Sequence, residues 1–134
     1  MIEDRPAVEV VSKAWGFEKR IVNNDKYCGK LHYIVKGKHT PLHYHKVKDE
    51  TFFLHSGKLH VFFFDAGYEE LKKQMAIHGS NVMNIMERAI LKPGDNFYVP
   101  AGRINQMFAA EDVQLYEFSA PHTPDGRFII STGE

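Results

Sequence analysis

Short runs of β-forming residues, each closed by a turn signal, recur along almost the whole chain and leave little room for anything but sheets. The runs are WGFEKRIV (Trp15–Val22), CGKLHYIVK (Cys28–Lys36), TPLHYH (Thr40–His45), ETFFLHS (Glu50–Ser56) and KLHVFFFD (Lys58–Asp65). After them come MNIMERAILK (Met83–Lys92), NFYVPA (Asn96–Ala101), INQMFAA (Ile104–Ala110), VQLYEFSA (Val113–Ala120) and FIIS (Phe128–Ser131). Asn23-Asn24-Asp25, Ser56-Gly57, Pro93-Gly94-Asp95 and Ala101-Gly102 supply the turns, since glycine and asparagine accept positive φ and proline fixes φ. Strands of this length and spacing bury themselves as a sandwich or a barrel.

One segment breaks the rhythm. AGYEELKKQMAIHGS (Ala66–Ser80) is rich in helix formers and bracketed by glycines, which predicts an insertion of one or two helical turns or a polar excursion. Residues 15–120 are expected to form the barrel, with 1–14 and 121–134 as arms of one domain spanning 1–134. A chain of 134 residues is long enough for one real core and short for two.

Composition narrows the partners. Lysine plus arginine and aspartate plus glutamate number 17 each, so no global field recruits nucleic acid or an anionic membrane. A hydrophobic content of 43% excludes disorder as the main state. Cys28 stands alone, cannot form an internal disulfide, and reads as a small buried hydrophobe in a reducing interior. With no basic-then-apolar opening and no apolar run of about 20 residues, a soluble cytoplasmic protein is expected. The eight histidines are the unusual feature.

Two of them sit in GKHTPLHYHKVKDETFFLHSG (Gly37–Gly57). In a strand, residues two apart share a face, so His43 and His45 project together while Leu42 and Tyr44 point the other way. The polar KVKD (Lys46–Asp49) turns the chain, and Glu50 opens a returning strand that brings its carboxylate to the imidazoles. Two nitrogens and one carboxylate oxygen suit Zn, Fe, Mn, Ni or Co with positions left open for substrate. The competing reading is three solvated residues at a strand edge. If Glu50 faces inward, so do Phe52 and Leu54, while Thr51, Phe53 and His55 face out. Leu115 and Glu117 share one face of their strand, and Glu117 is then either a buried acid or base or a solvated charge. HVFFFD is apolar on both faces and implies cover by a second sheet or a second subunit, hence a homodimer. His32, His39, His60 and His78 read as surface or strand residues. His122, in PHTPDG, either belongs to a turn-rich tail or folds back over the barrel mouth.

These positions resemble a known pattern. Gly37, His43-Tyr44-His45, Glu50 and Gly57 match the first motif of the cupin superfamily at every marked position. Gly94, Pro100 and Gly102 fit the second motif, but Asn105 stands where that motif has histidine, with Gln106 aimed away from it. The stretches WGFEKRIVNNDKYCGKLHYI, HYHKVKDETFFLHSGKLHV and FSAPHTPDG are similar to small cupins of the sugar-phosphate isomerase and mannose-6-phosphate isomerase type. The resemblance implies an all-β double-stranded β-helix, a jelly-roll barrel with one short insertion. It also implies a divalent metal on His43, His45, Glu50 and Asn105, the last as a carbonyl donor, as the holder of a water, or as the mark of a lost metal. Isomerisation or epimerisation of a sugar or sugar phosphate is the activity it suggests, with Glu50 or Glu117 moving a proton between adjacent carbons and Lys30 or Lys36 meeting a phosphate. A non-haem Fe(II) dioxygenase and a non-catalytic carbohydrate- or small-molecule-binding barrel are the rival expectations.

Overall fold

Among the described residues, eleven strands pair into two antiparallel sheets that face each other across an apolar interior. The computed structural model describes residues 4–79 and 81–131. The strands are β1 (Glu9–Lys13), β2 (Gly16–Asn23), β3 (Cys28–Ile34), β4 (Leu42–His45), β5 (Glu50–Ser56), β6 (Leu59–Phe64), β7 (Glu87–Leu91), β8 (Asn96–Val99), β9 (Ile104–Ala109), β10 (Val113–Ser119) and β11 (Arg127–Ser131). One helix, α1 (Tyr68–His78), interrupts them. The six-stranded sheet runs β1-β2-β3-β10-β5-β8 and the five-stranded sheet β11-β4-β9-β6-β7. Among the described residues no helix is long and apolar enough to cross a membrane.

The period-two pattern explains what each sheet buries. On β5, Glu50, Phe52 and Leu54 are buried while Phe53 and His55 are exposed; on β10, Val113, Leu115 and Glu117 are buried and Phe118 is exposed. Trp15, Ile34, Leu54, Leu59, Val61, Met107, Ala109, Val113 and Leu115 fill the space between the sheets. Burying one such leucine or valine contributes about 1.5–3 kcal/mol. Towards the other end of the same inner faces the residues turn polar: Lys30 and His32 precede Ile34, Glu117 follows Leu115, Glu50 precedes Phe52, and Asn105 precedes Met107. Register aligns these changes, because Glu117 faces both Lys30 and Phe52, and Ser119 faces Glu50. One end of the barrel is dry and the other is a polar mouth.

Gly57, at the β5–β6 turn, has φ +95°, and a Cβ there would lie 2.2 Å from the Asp112 carbonyl oxygen. Only glycine lets that turn close against the neighbouring chain.

Several expectations are corrected. The insertion is a three-turn helix of 11 residues rather than one or two turns; Ser80, the end of the expected segment, lies outside the described residues. Glu69 and Glu70 in its first turn and His78 in its last suit the helix dipole. Leu71 packs with Leu42, Phe64, Met86 and Ile104 on the outer face of the five-stranded sheet. The helix therefore packs over the Phe62 and Phe64 end of the outer face of HVFFFD. The expected strand Met83–Lys92 forms only from Glu87; before it lies a 3-10 turn, Val82–Asn84, started by the Asn81 side chain accepting from the Met83 amide at 3.1 Å. Val82 and Ile85 pack into the same outer cluster, which draws the segment out of the sheet. The expected N-terminal arm contains β1, an edge strand paired to β2, whereas β11 matches the expected strand FIIS within the tail and pairs to β4.

Candidate metal centre

His43 and His45 leave the inner face of β4, and Glu50 leaves the inner face of β5 after the turn between them. The three bring one ligand atom each to within 4.8 Å of one another. His43 Nδ1 lies 2.7 Å from the Pro41 carbonyl oxygen, so that nitrogen carries the proton and Nε2 keeps its lone pair for the cavity. Burial first, then Arg127, lower His43 to about 4; burial first, then His43, lower His45 to about 3. Both imidazoles are neutral near pH 7, the form that ligates. Glu50 Oε1, 3.7 Å from His45 Nε2, is buried and has no hydrogen-bond partner among the described residues. Burial, then the charge of Glu117, push its carboxyl up to about 8 against the pull of Lys48. A divalent cation between two neutral imidazoles would satisfy that orphaned oxygen and restore the carboxylate, so the donor set fits a metal.

Asn105 stands opposite His43 on β9, buried, and lines the same cavity of about 220 Å³. Its Nδ2 donates to the Arg103 carbonyl at 3.3 Å, which leaves the amide oxygen as the atom to offer a cation. Gln106 points to the other face, bonding His39 and the Thr40 carbonyl, as strand parity predicts.

Glu117 is the second acid of the cavity. His32 Nε2 lies 2.8 Å from its Oε1, and Ser119 Oγ donates to its Oε2 at 2.6 Å. Lys48 Nζ is 3.0 Å from the same Oε2. Burial alone would raise Glu117, but the His32 hydrogen bond, with Lys48 and Lys30, outweighs it and holds the carboxyl well below the usual range.

No family model matches the sequence, and no curated protein matches it either. Solved structures do. The KdgF structure from Halomonas sp. superposes with TM-score 0.65 at 16% identity, covering 91% of this chain and 94% of that one. Capsular polysaccharide assembling protein CapF from Staphylococcus aureus superposes at TM-score 0.72 and 13% identity, over 98% of this chain and 34% of that one. Oxalate decarboxylase from Bacillus subtilis gives 0.71 and 14%, over 92% and 30%. All three are cupin-fold proteins. The chain has the cupin fold. It spans about a third of the CapF and oxalate decarboxylase chains, so the barrel is what they share.

In this barrel the polar mouth is larger than strand alternation alone foretells. Glu18, Arg20 and His32 line it, although the alternation on β2 and β3 reads equally well as a solvated face. His32, read as a surface or strand residue, lies on β3 and bridges Glu117 and Glu18, the latter 3.8 Å from its Nδ1. Lys48, assigned to a polar turn, is buried with its ammonium on Glu117. Lys13 and Arg127 reach the cavity from β1 and β11, both inside the segments read as arms. Of the two lysines offered for a phosphate, Lys30 is buried in the cavity and Lys36 is exposed outside it. His122 folds back over the mouth, its Nδ1 3.3 Å from Lys30 Nζ. Pairing across sheets, invisible in one strand at a time, brought these together.

Proposed function

We propose that this cupin binds a divalent metal through His43, His45 and Glu50, with Asn105 as a fourth, oxygen donor, and isomerises or epimerises a sugar or sugar phosphate. The orphaned Glu50 oxygen, buried between two neutral imidazoles, carries the metal assignment. The metal would supply Lewis-acid polarisation of substrate oxygens. With Glu50 committed to a cation, Glu117 is the carboxylate left to take and return a substrate proton. His32, hydrogen-bonded to Glu117 Oε1, fixes that carboxylate's orientation. Trp15, Phe52 and Met107 close the cavity floor and keep water from the reacting carbons.

The metal is tested by elemental analysis of protein purified without a histidine tag. Wild type should hold close to one equivalent and Glu50→Gln far less; equal retention by both ends the assignment. Activity is tested by NMR on a panel of aldose and ketose phosphates and the free sugars with each of Zn, Fe, Mn, Ni and Co. Turnover in wild type and a loss of roughly 10²-fold or more in Glu117→Gln are expected, and no turnover across the panel by metal-loaded protein refutes isomerisation. The same preparation decides for the rival chemistry, because two histidines and one carboxylate also suit Fe(II): oxygen uptake on adding a small thiol or diol would favour a dioxygenase. Retention of a sugar by metal-free protein would favour a binding module.

A homodimer belongs to the same proposal. The helix covers the five-stranded sheet, but the outer face of the six-stranded sheet leaves Ile21, Phe53, Tyr98 and Phe118 exposed at 42%, 37%, 53% and 59%. A second copy is the occupant this face suits, since paired sheet faces bury such side chains reciprocally. Light scattering should give twice the chain mass, and Phe118→Asp should halve it.

A further inference from the structure

The charges lining the cavity do not balance. Lys13, Arg20, Lys30, Lys48 and Arg127 face Glu18, Glu50 and Glu117, two more cations than carboxylates. Three of the cations have partners: Arg20 Nε lies 2.8 Å from Glu18, Lys48 3.0 Å from Glu117, and Lys30 3.8 Å from Glu18. Among the described residues, neither Lys13 nor Arg127 has a carboxylate within ion-pair distance, and both are half-buried. Their placement is specific. Arg127 stands in register with His45, on the strand beside the metal donors, while Lys13 is the last residue of β1. They come from the two outermost strands of opposite sheets and close over one cavity. Burial, and then Arg127 against the pull of Glu18, lower the Lys13 ammonium from its ordinary value, as expected of two cations sharing one space. Half-buried, unpartnered cations are costly to hold together unless an anion joins them. A divalent ion on His43, His45 and Glu50 would add to the same positive field.

The geometry points to an oxyanion subsite made by Lys13 and Arg127, so the small molecule bound here carries a carboxylate or phosphate group beside the polyhydroxy portion that reaches the metal donors. This deepens the reading of the cavity as a substrate site but does not depend on the metal. Arg127 offers a planar fork that meets either group with two parallel hydrogen bonds, and Lys13 adds a point charge. Glu18, Glu50 and Glu117 are already held by cations or by the metal donors, so they leave the subsite to these two.

The experiment titrates inorganic phosphate, glucuronate and glucose into the full chain, followed by calorimetry or amide NMR, with and without prior chelation. Phosphate or glucuronate should bind at least tenfold more tightly than glucose, and the tighter of the two identifies the group. Lys13→Gln and Arg127→Gln should each weaken the anion by roughly tenfold or more, the scale of one charged hydrogen bond, whereas Lys36→Gln, outside the cavity, should not. Lys13→Gln, on an exposed edge strand, keeps the test readable should Arg127→Gln melt early. Persistence of the Arg127-dependent binding after chelation supports the subsite even where Glu50→Gln retains metal as wild type does. Glucose binding as tightly as the anions, no anion binding to wild type, or unchanged affinity in both variants overturns it.

Discussion

Replacing Glu117 by glutamine should expose how the buried charges of this barrel hold one another. Glu117 is 3% exposed and accepts from His32 at 2.8 Å and Ser119 at 2.6 Å, with Lys48 Nζ at 3.0 Å. Glutamine has the same shape and keeps one acceptor oxygen, but it removes the charge. Lys48, itself 7% exposed, is then left with Glu50 at 3.9 Å as its nearest carboxylate. Removing one partner of a buried pair costs about 3–5 kcal/mol, and the hydrogen bonds glutamine retains bring the expectation to about 3 kcal/mol. With a urea slope of about 1.5 kcal/mol/M, the unfolding midpoint should fall by about 2 M. The assay is urea unfolding in excess chelator, so that metal binding to the native state does not enter. Lys48→Met alone should cost less, since Glu117 keeps two donors. The double variant should be more stable than Glu117→Gln, because removing both charges together leaves no uncompensated ion. Strict additivity, or a midpoint within about 0.3 M of wild type for Glu117→Gln, would show that the pair does not hold this end of the barrel.

Asn105→His should tighten metal binding by tenfold or more, because a third imidazole replaces a weak amide oxygen at the register position facing His43; competition with a chromophoric chelator reads it. Gly57→Ala should lower stability by about 2–3 kcal/mol, combining left-handed strain with a Cβ 2.2 Å from the Asp112 oxygen, and differential scanning calorimetry measures the fall in Tm. Glu18 sets the sign of an acid dependence. Burial raises its carboxyl, yet the Arg20 hydrogen bond, with Lys30 and His32, leaves the net shift downward from 4.5. Its stabilisation is therefore present above that value and lost as pH falls through the lower, folded one. Chemical unfolding between pH 6 and pH 3 should lose stability steeply in wild type and less steeply in Glu18→Gln; parallel curves would remove Glu18 from the acid response.

Local chemistry in the chain was enough to specify every strand but β1, most of their turns and the three converging donors, because period-two alternation and glycine or proline turns act over a few residues. His43, His45 and Glu50 belong to one hairpin, and their meeting needs only strand parity and a turn. The rest of the mouth was decided elsewhere. Glu18 and His32 look like half of an ordinary amphipathic strand until β10 is set beside β3 and Glu117 arrives opposite Lys30. Lys48 reads as a loop lysine until that same carboxylate draws its ammonium inward. Lys13 and Arg127 lie 114 residues apart in the chain and share a cavity because β1 and β11 are the outermost strands of opposing sheets. Parity says which residues share a face; only the pairing of distant strands says whether that face meets water, hydrocarbon or another charge.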